Sequence, residues 1–334
     1  MVVPEKGILI MFISRQIRSA VLLAALVVSA APVMAAGGAM SLVPADAVTV
    51  GVVKFDELRS SPLMSTLFQQ TDKFGGNGDA AEFLREAGLE PAKDIDLLVV
   101  ATSPRTSLGS EADVVVIAEG RFNVARLSNA ITARGAIRKS VTGGSYFTLP
   151  EAKDGHSGAV SFAGEGLAIM GTENAVIEAL ATRATGGSKF SGASGLGIDA
   201  ARIDPKATAW AVIDVARASR LAGSPRLGGG PQGEVLEAAV RNVSTVALWA
   251  TDTGDALKLG AFGLATDTET LELLEDTLRG ALSAMRLAVR EKAPDMVSVL
   301  RRFAVERTSD SIRLTGSIPA ETLRKLIATK VANR

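Results

Sequence analysis

The chain has no cysteine, one histidine and one tyrosine among its 334 residues, and aromatic residues make up only 4% of it. Without cysteine no disulfide can form, and no thiol is available for a lipid at the N-terminus. A single imidazole, His156, cannot build a two-histidine metal site within one chain, and any Ser-His-Asp arrangement would have to use it. It sits in the polar loop Asp154-Gly155-His156-Ser157-Gly158, which reads as a solvated loop. Scarce aromatics leave the core to Ala, Val, Leu and Ile, within a hydrophobic fraction of 47% that is ordinary for a globular chain.

Charge of one sign is also missing, since 36 basic residues balance 36 acidic ones. No basic patch or tail with interleaved aromatics occurs, so nucleic-acid binding has no source for its electrostatic term. Nor is there an apolar run of the roughly 20 residues that a membrane-spanning helix needs. The nearest approach is Ala20 to Ala31, broken only by Ser29, which follows Arg15 and Arg18 and precedes Val33-Met34-Ala35. A basic region, an apolar region and small or aliphatic side chains at cleavage spacing describe a secretory signal over residues 1–35. Kept uncleaved, that segment would be the only contact with a membrane. Its removal takes Glu5, Lys6, Arg15 and Arg18, leaving 33 basic and 35 acidic residues and a net charge of −2. The remaining 299 or so residues are enough to build a core without disulfides. The expected location is the periplasm or the exterior.

What the chain does contain is an internal echo. Val43-Pro44-Ala45-Asp46-Ala47-Val48-Thr49-Val50-Gly51-Val52-Val53-Lys54-Phe55-Asp56 returns as Ile203-Asp204-Pro205-Lys206-Ala207-Thr208-Ala209-Trp210-Ala211-Val212-Ile213-Asp214, and Ser61-Pro62-Leu63-Met64 as Ser224-Pro225-Arg226-Leu227. A repeat of this length means two domain-sized units, because solenoid periods run to about 20 to 50 residues. The expected division is a signal over 1–35, a first copy over 36–187, a Gly/Ser/Ala-rich linker over 188–202 and a second copy over 203–334. Each copy reads as strands joined by tight turns with helices between the pairs. That pattern predicts an α+β fold of two repeated copies, each a mainly antiparallel sheet with helices on one face.

Several elements carry start and stop signals. Ser61 and Pro62 predict a helix from there to about Thr71, and Asp79 with Glu82 a second one. Asn123 and Thr172 stand as caps before the apolar positions Val124, Leu127, Ile131 and Val176, Ile177, Leu180. Thr142-Gly143-Gly144-Ser145 and Gly164-Glu165-Gly166 read as hairpin turns. The longest helix carries the stripe Leu271, Leu274, Leu278, Leu282, Met285 and Val289, with Pro294 just beyond. Val297 to Arg307 and Ile312 to Ser317 read as the last hairpin. Trp210, Trp249 and Tyr146 fall inside strands, as core or cross-strand packing.

The segment from Glu82 through Gly88 and Pro91 to Leu97, together with the opening Pro44-Ala45-Asp46, resembles a group of uncharacterised exported bacterial proteins with a Pro-Ala-Asp opening. The second copy lacks the matching turn, having Arg241-Asn242-Val243 there, and the resemblance implies no activity.

Catalytic patterns are absent or incomplete. No serine lies in a Gly-x-Ser-x-Gly elbow, and none stands three residues before a lysine. Gly195-Leu196-Gly197-Ile198-Asp199-Ala200 imitates a dinucleotide fingerprint, but it follows a flexible stretch where the mechanism needs a strand. No cofactor or metal is expected. The paired carboxylates Asp94 with Asp96, and Glu111 with Asp113, fall at the ends of adjacent strands, where they could meet as general acid and base or around a hard cation. The loop around Arg226, Gly228, Gly229 and Gly230 is the candidate partner contact. The resulting expectation is a non-catalytic binding or structural protein of the envelope, with an unidentified ligand or protein partner. The rival is a hydrolase or cation-binding protein using the four carboxylates.

Overall fold

The computed structural model describes residues 38–61, 85–105, 112–150, 158–186, 190, 195–222, 242–265, 267–290 and 294–325. In chain order the elements are β1 (Thr49–Lys54), α1 (Phe55–Ser60), α2 (Pro91–Asp94), β2 (Ile95–Pro104), β3 (Ala112–Gly120), α3 (Val124–Ala133), β4 (Ile137–Val141), β5 (Gly144–Thr148), β6 (Gly158–Phe162), β7 (Leu167–Thr172) and α4 (Glu173–Ala184). They continue with α5 (Leu196–Ala200), β8 (Ala209–Asp214), α6 (Val215–Ala222), β9 (Thr245–Asp252), β10 (Ala256–Leu264), α7 (Thr268–Val289), α8 (Pro294–Leu300), β11 (Ala304–Arg307) and β12 (Ser311–Pro319).

All twelve strands join one antiparallel sheet in the order β11-β12-β10-β9-β8-β1-β2-β3-β7-β6-β5-β4. The α+β class holds, but the expected sheet in each copy gives way to a single one. Its centre is the pairing of β1 with β8, where Gly51 lies opposite Ala211. Paired there, the two strands bury edges that separate sheets would expose. The bonds just outside this ladder are reciprocal, Lys54 N donating to Thr208 O and Asp214 N to Val48 O, each at 2.9 Å.

Helices cover both faces, not one. On the first face lie Val50, Val52, Val99, Ala101, Val115, Ile117 and Ile169, packed under Ala175, Val176, Ala179 and Leu180 of α4, a 3-10 turn at Met40–Leu42, and Leu196 of α5. The alanines of α4 let that helix sit close to the sheet, and full burial of Leu180 is worth about 1.5–3 kcal/mol. On the second face, Leu127 and Ile131 of α3 pack over Ala118, Ala168, Phe147 and Val160. At the far end, Leu271, Leu274 and Leu282 of α7 cover Val305 and Ile312. The apolar runs of β2 and β3 follow in part from this, since Val99 and Ile117 pack on the first face while Leu98 and Ala118 pack with α3 on the second.

Local chemistry explains most boundaries. Asn123 Oδ1 accepts from Arg126 N at 3.0 Å, so α3 is capped as expected, and Asp267 Oδ1 accepts from Thr270 N at 2.7 Å in a cap of α7 that was not singled out by sequence. Thr172 precedes α4, but its hydroxyl donates to Asp113 instead of capping. Residues 297–300 belong to α8, not to a strand, because Pro294 and Asp295 start a helix there. Inside the stretch expected to be linker, α5 forms, and Leu196 is buried in the shared core. The helix expected after Pro62 lies outside the described residues, as does the start of the one expected from Asp79, whose last residues, 85–87, are helical.

Candidate functional site

The paired carboxylates do not come together. In an antiparallel hairpin the start of one strand lies beside the end of the next. Accordingly Ile95 pairs with Gly120 while Asp113 pairs with Ser103 at the other end of β2. The seven residues from Asp96 to Ser103 correspond to about 23 Å of strand, far beyond the reach of two side chains on one substrate atom.

Each of the three described carboxylates also has structural partners. Asp94 Oδ2 accepts from Glu90 N at 2.7 Å, closing the turn of α2. Asp96 is bound by the Arg59 guanidinium and lies 3.7 Å from that of Arg121. Asp113 is buried, and its Oδ1 accepts from Thr172 Oγ1 at 2.7 Å and from Arg105 Nε at 3.2 Å. Glu111, Arg226, Gly228, Gly229, Gly230 and His156 lie outside the described residues.

One acidic group near Asp113 was not singled out by sequence. The Glu178 carboxyl on α4 is pushed above its ordinary range, first by burial and then by the like charges of Asp46 and Asp113. Asp113 is held by Arg105 and Thr172, and no group of three or more His, Cys, Asp or Glu side chains is placed to hold a metal among the described residues. A pocket of about 550 Å³ opens at the start of α7, lined by Asn242, Asp267, Glu269, Thr270 and Leu273. Hydrogen bonds from Thr270 hold the Asp267 carboxyl below its usual range, which suits a helix cap.

A different constellation emerges from the registers. On the second face one cross-strand row runs without a break from β5 to β11. It comprises Phe147, Val160, Met170, Val116, Val100, Gly51, Ala211, Leu248, Ala261, Leu314 and Val305. Every member is apolar or glycine. The ends are packed, Phe147 and Val160 with α3, and Leu314 and Val305 with α7. The middle is not: Met170, Val116, Val100, Ala211, Leu248 and Ala261 enter no core cluster among the described residues. Met170 is 37% exposed and Leu248 36%. From β7 to β10 this middle spans six strand spacings, about 29 Å. Gly51 and Ala211 at its centre carry the smallest side chains, so the floor dips between Val100 and Leu248. Such a strip can hold an apolar surface, and it offers no groups for acid–base work.

Sequence reasoning missed this row because a register is a long-range property. Each strand announced itself as apolar, but nothing in a single chain states which residue of β9 faces which residue of β8.

No protein-family model matches the chain, and no curated protein matches it. Among solved structures it is similar to the protein TP0453. Crystal form III of that protein gives a TM-score of 0.48 at 12% identity, covering 89% of this chain and 100% of the other. Crystal form IV gives 0.48 at 12% identity, covering 90% and 97%, and form I gives 0.45 at 10%, covering 88% and 98%.

Proposed function

We propose that the chain is an exported, non-catalytic binding protein of the bacterial envelope, made of two diverged copies of one α+β unit, and that it works through the apolar row on the second face of its sheet. The observation that carries this reading is the row itself, apolar across eleven strands yet, among the described residues, outside the core clusters over the seven positions from Met170 to Ala261. A partner that buries it gains roughly 25 cal/mol for each Å² of apolar surface removed from water.

Three further observations support the parts of the proposal. Export rests on Arg15, Arg18, the apolar segment Ala20 to Ala31 and the small residues before Ala36, in keeping with the resemblance to exported Pro-Ala-Asp proteins. No helix among the described residues is long and apolar enough to cross a membrane. Duplication is supported by the seam: β1 and β8 are related by a shift of 160 residues, and the register pairs Gly51 with its own equivalent, Ala211. That arrangement is what a twofold-symmetric pair would leave behind after fusion. The turns before the two strands agree, Ala47 N donating to Pro44 O at 3.1 Å and Ala207 N to Asp204 O at 2.8 Å. The hydrolase reading loses its basis, because Asp96 and Asp113 stand at opposite ends of β2 and both are engaged by arginines.

The test uses an environment-sensitive apolar dye titrated onto the full chain. Binding should raise its emission, and Leu248→Glu, a substitution at a 36% exposed position, should cut the affinity at least tenfold without changing the circular dichroism spectrum. Equal dye binding by the variant would remove the row from the reading. Mass spectrometry of the exported protein should find an N-terminus near Ala36.

A further inference from the structure

The longest helix, α7, presents two different surfaces. Leu271, Leu274, Leu278 and Leu282 turn inward onto the sheet end. Leu273 and Leu287 turn outward, 51% and 68% exposed, each seven residues from Gly280. A spacing of seven is two helical turns, so Leu273, Gly280 and Leu287 form one line along the outer ridge. A side chain built at Gly280 would meet no atom within 4 Å, which places the midpoint of that line in open space.

Charge along α7 is segregated. Glu269, Glu272, Glu275 and Asp276 occupy the first half, and Arg279, Arg286 and Arg290 the second and its end, with no exception between 267 and 290. Compensation of the helix dipole accounts for charges in the terminal turns only, since that effect fades within one turn. Arg279 also pairs with Glu275 at 2.7 Å and Arg286 donates to Leu300 O at 2.9 Å, which leaves, among the described residues of α7, Asp276 at mid-helix and the two exposed leucines without a role inside the fold.

We infer that α7 is a self-association surface, pairing antiparallel with the α7 of a second copy of this chain and crossing it at Gly280. The twofold axis would then bring Leu273 against Leu287 of the partner subunit, twice. Glycine at the crossing lets the helix backbones approach, and the acidic half of each helix lies along the basic half of the other. Arg290 of each copy comes over the turn holding Glu269 and Glu272 of its neighbour. A second copy fits better than an unrelated partner because both the leucine spacing and the charge order are complementary to themselves under that one operation. Part of the acidic half already serves the fold, as Glu272 and Glu275 bind Arg307 at 3.0 and 2.9 Å. Glu269, Asp276 and Arg290 are exposed.

Sedimentation velocity on the full chain tests this. A concentration-dependent shift from monomer to dimer mass is expected below about 100 μM, weakening as salt screens the charged flanks. Gly280→Arg adds a side chain into open space and should leave the thermal melt unchanged or raised while weakening the dimer at least tenfold. Glu269→Arg and Arg290→Glu should each weaken it, and the double variant should recover, because reversing both signs restores the match. A wild-type chain that stays monomeric throughout, or a dimer indifferent to Gly280→Arg, overturns the inference.

Discussion

Asp113 shows how a single carboxylate can be committed to architecture. It joins the start of β3 to Arg105 after β2 and to Thr172 at the end of β7, so three neighbouring strands are pinned at one end of the sheet. Removing its carboxylate takes one acceptor from the part-buried Arg105 guanidinium and one from the Thr172 hydroxyl. Asp113→Ala should therefore cost about 2–4 kcal/mol in urea denaturation. A loss below about 0.5 kcal/mol would mean that Asp113 is not structural, and would reopen a chemical role. Glu178 behaves in the opposite sense. Its carboxyl titrates above its ordinary 4.5 in the fold, so between that value and the folded one the native state binds more protons than the unfolded chain. Stability must then fall as pH rises through this window and stay lowered above it. Glu178→Gln should raise the melting temperature at neutral pH, and the advantage should vanish below pH 4.5. An equal gap at both pH values would show that the effect is not the charge.

At the scale of elements, the hairpin between β4 and β5 depends on Gly143. Its φ of +96° lies in the left-handed region, and a Cβ there would sit 2.2 Å from Leu180 O of α4. Gly164, between β6 and β7, has a φ of +85° with nothing within 4 Å. Gly164→Ala should cost about 1 kcal/mol from backbone strain alone, whereas Gly143→Ala must also displace α4 and should cost at least about twice as much. Equal losses in thermal melts would mean that α4 yields easily. Both turns were legible in the sequence, as was the cap Asn123, because a glycine pair or an Asx residue before an apolar stripe acts through neighbours in the chain. The short helices were not. Phe55–Ser60 carries no side-chain cap or apolar stripe of its own, and what makes it a helix is distant: Leu58, fully buried, packs with Ala250, Leu257 and Ala320. The same limit hid the candidate site. Carboxylates two residues apart were easy to notice and led nowhere, while the apolar row exists only once twelve strands have found their registers.

For the whole molecule, the sheet and its largest core cluster cross the seam between β1 and β8. Val50, Val99 and Ile117 on one side and Val212, Ala247 and Trp249 on the other belong to that single cluster, so neither half has a private core on the first face. Two halves with a shared core should unfold as one body. The tryptophans provide a local reporter, since Trp210 and Trp249 are the only two, face each other across β8 and β9, and Trp249 also contacts Phe262 with ring centroids 6.0 Å apart. Their fluorescence follows the second stretch alone. Amide hydrogen exchange of β3 and β7 follows the first. If the seam couples them, both signals should change at one urea midpoint, and Val212→Ala, a fully buried truncation beside the seam, should lower that midpoint for the two probes equally. Separate midpoints, or a Val212→Ala effect confined to the tryptophans, would mean that β1 and β8 only abut, and that the row on the second face spans two units free to open along Gly51 and Ala211. The apolar strip needs the seam closed, because only a continuous ladder lines Val100 up with Leu248 across those two small residues.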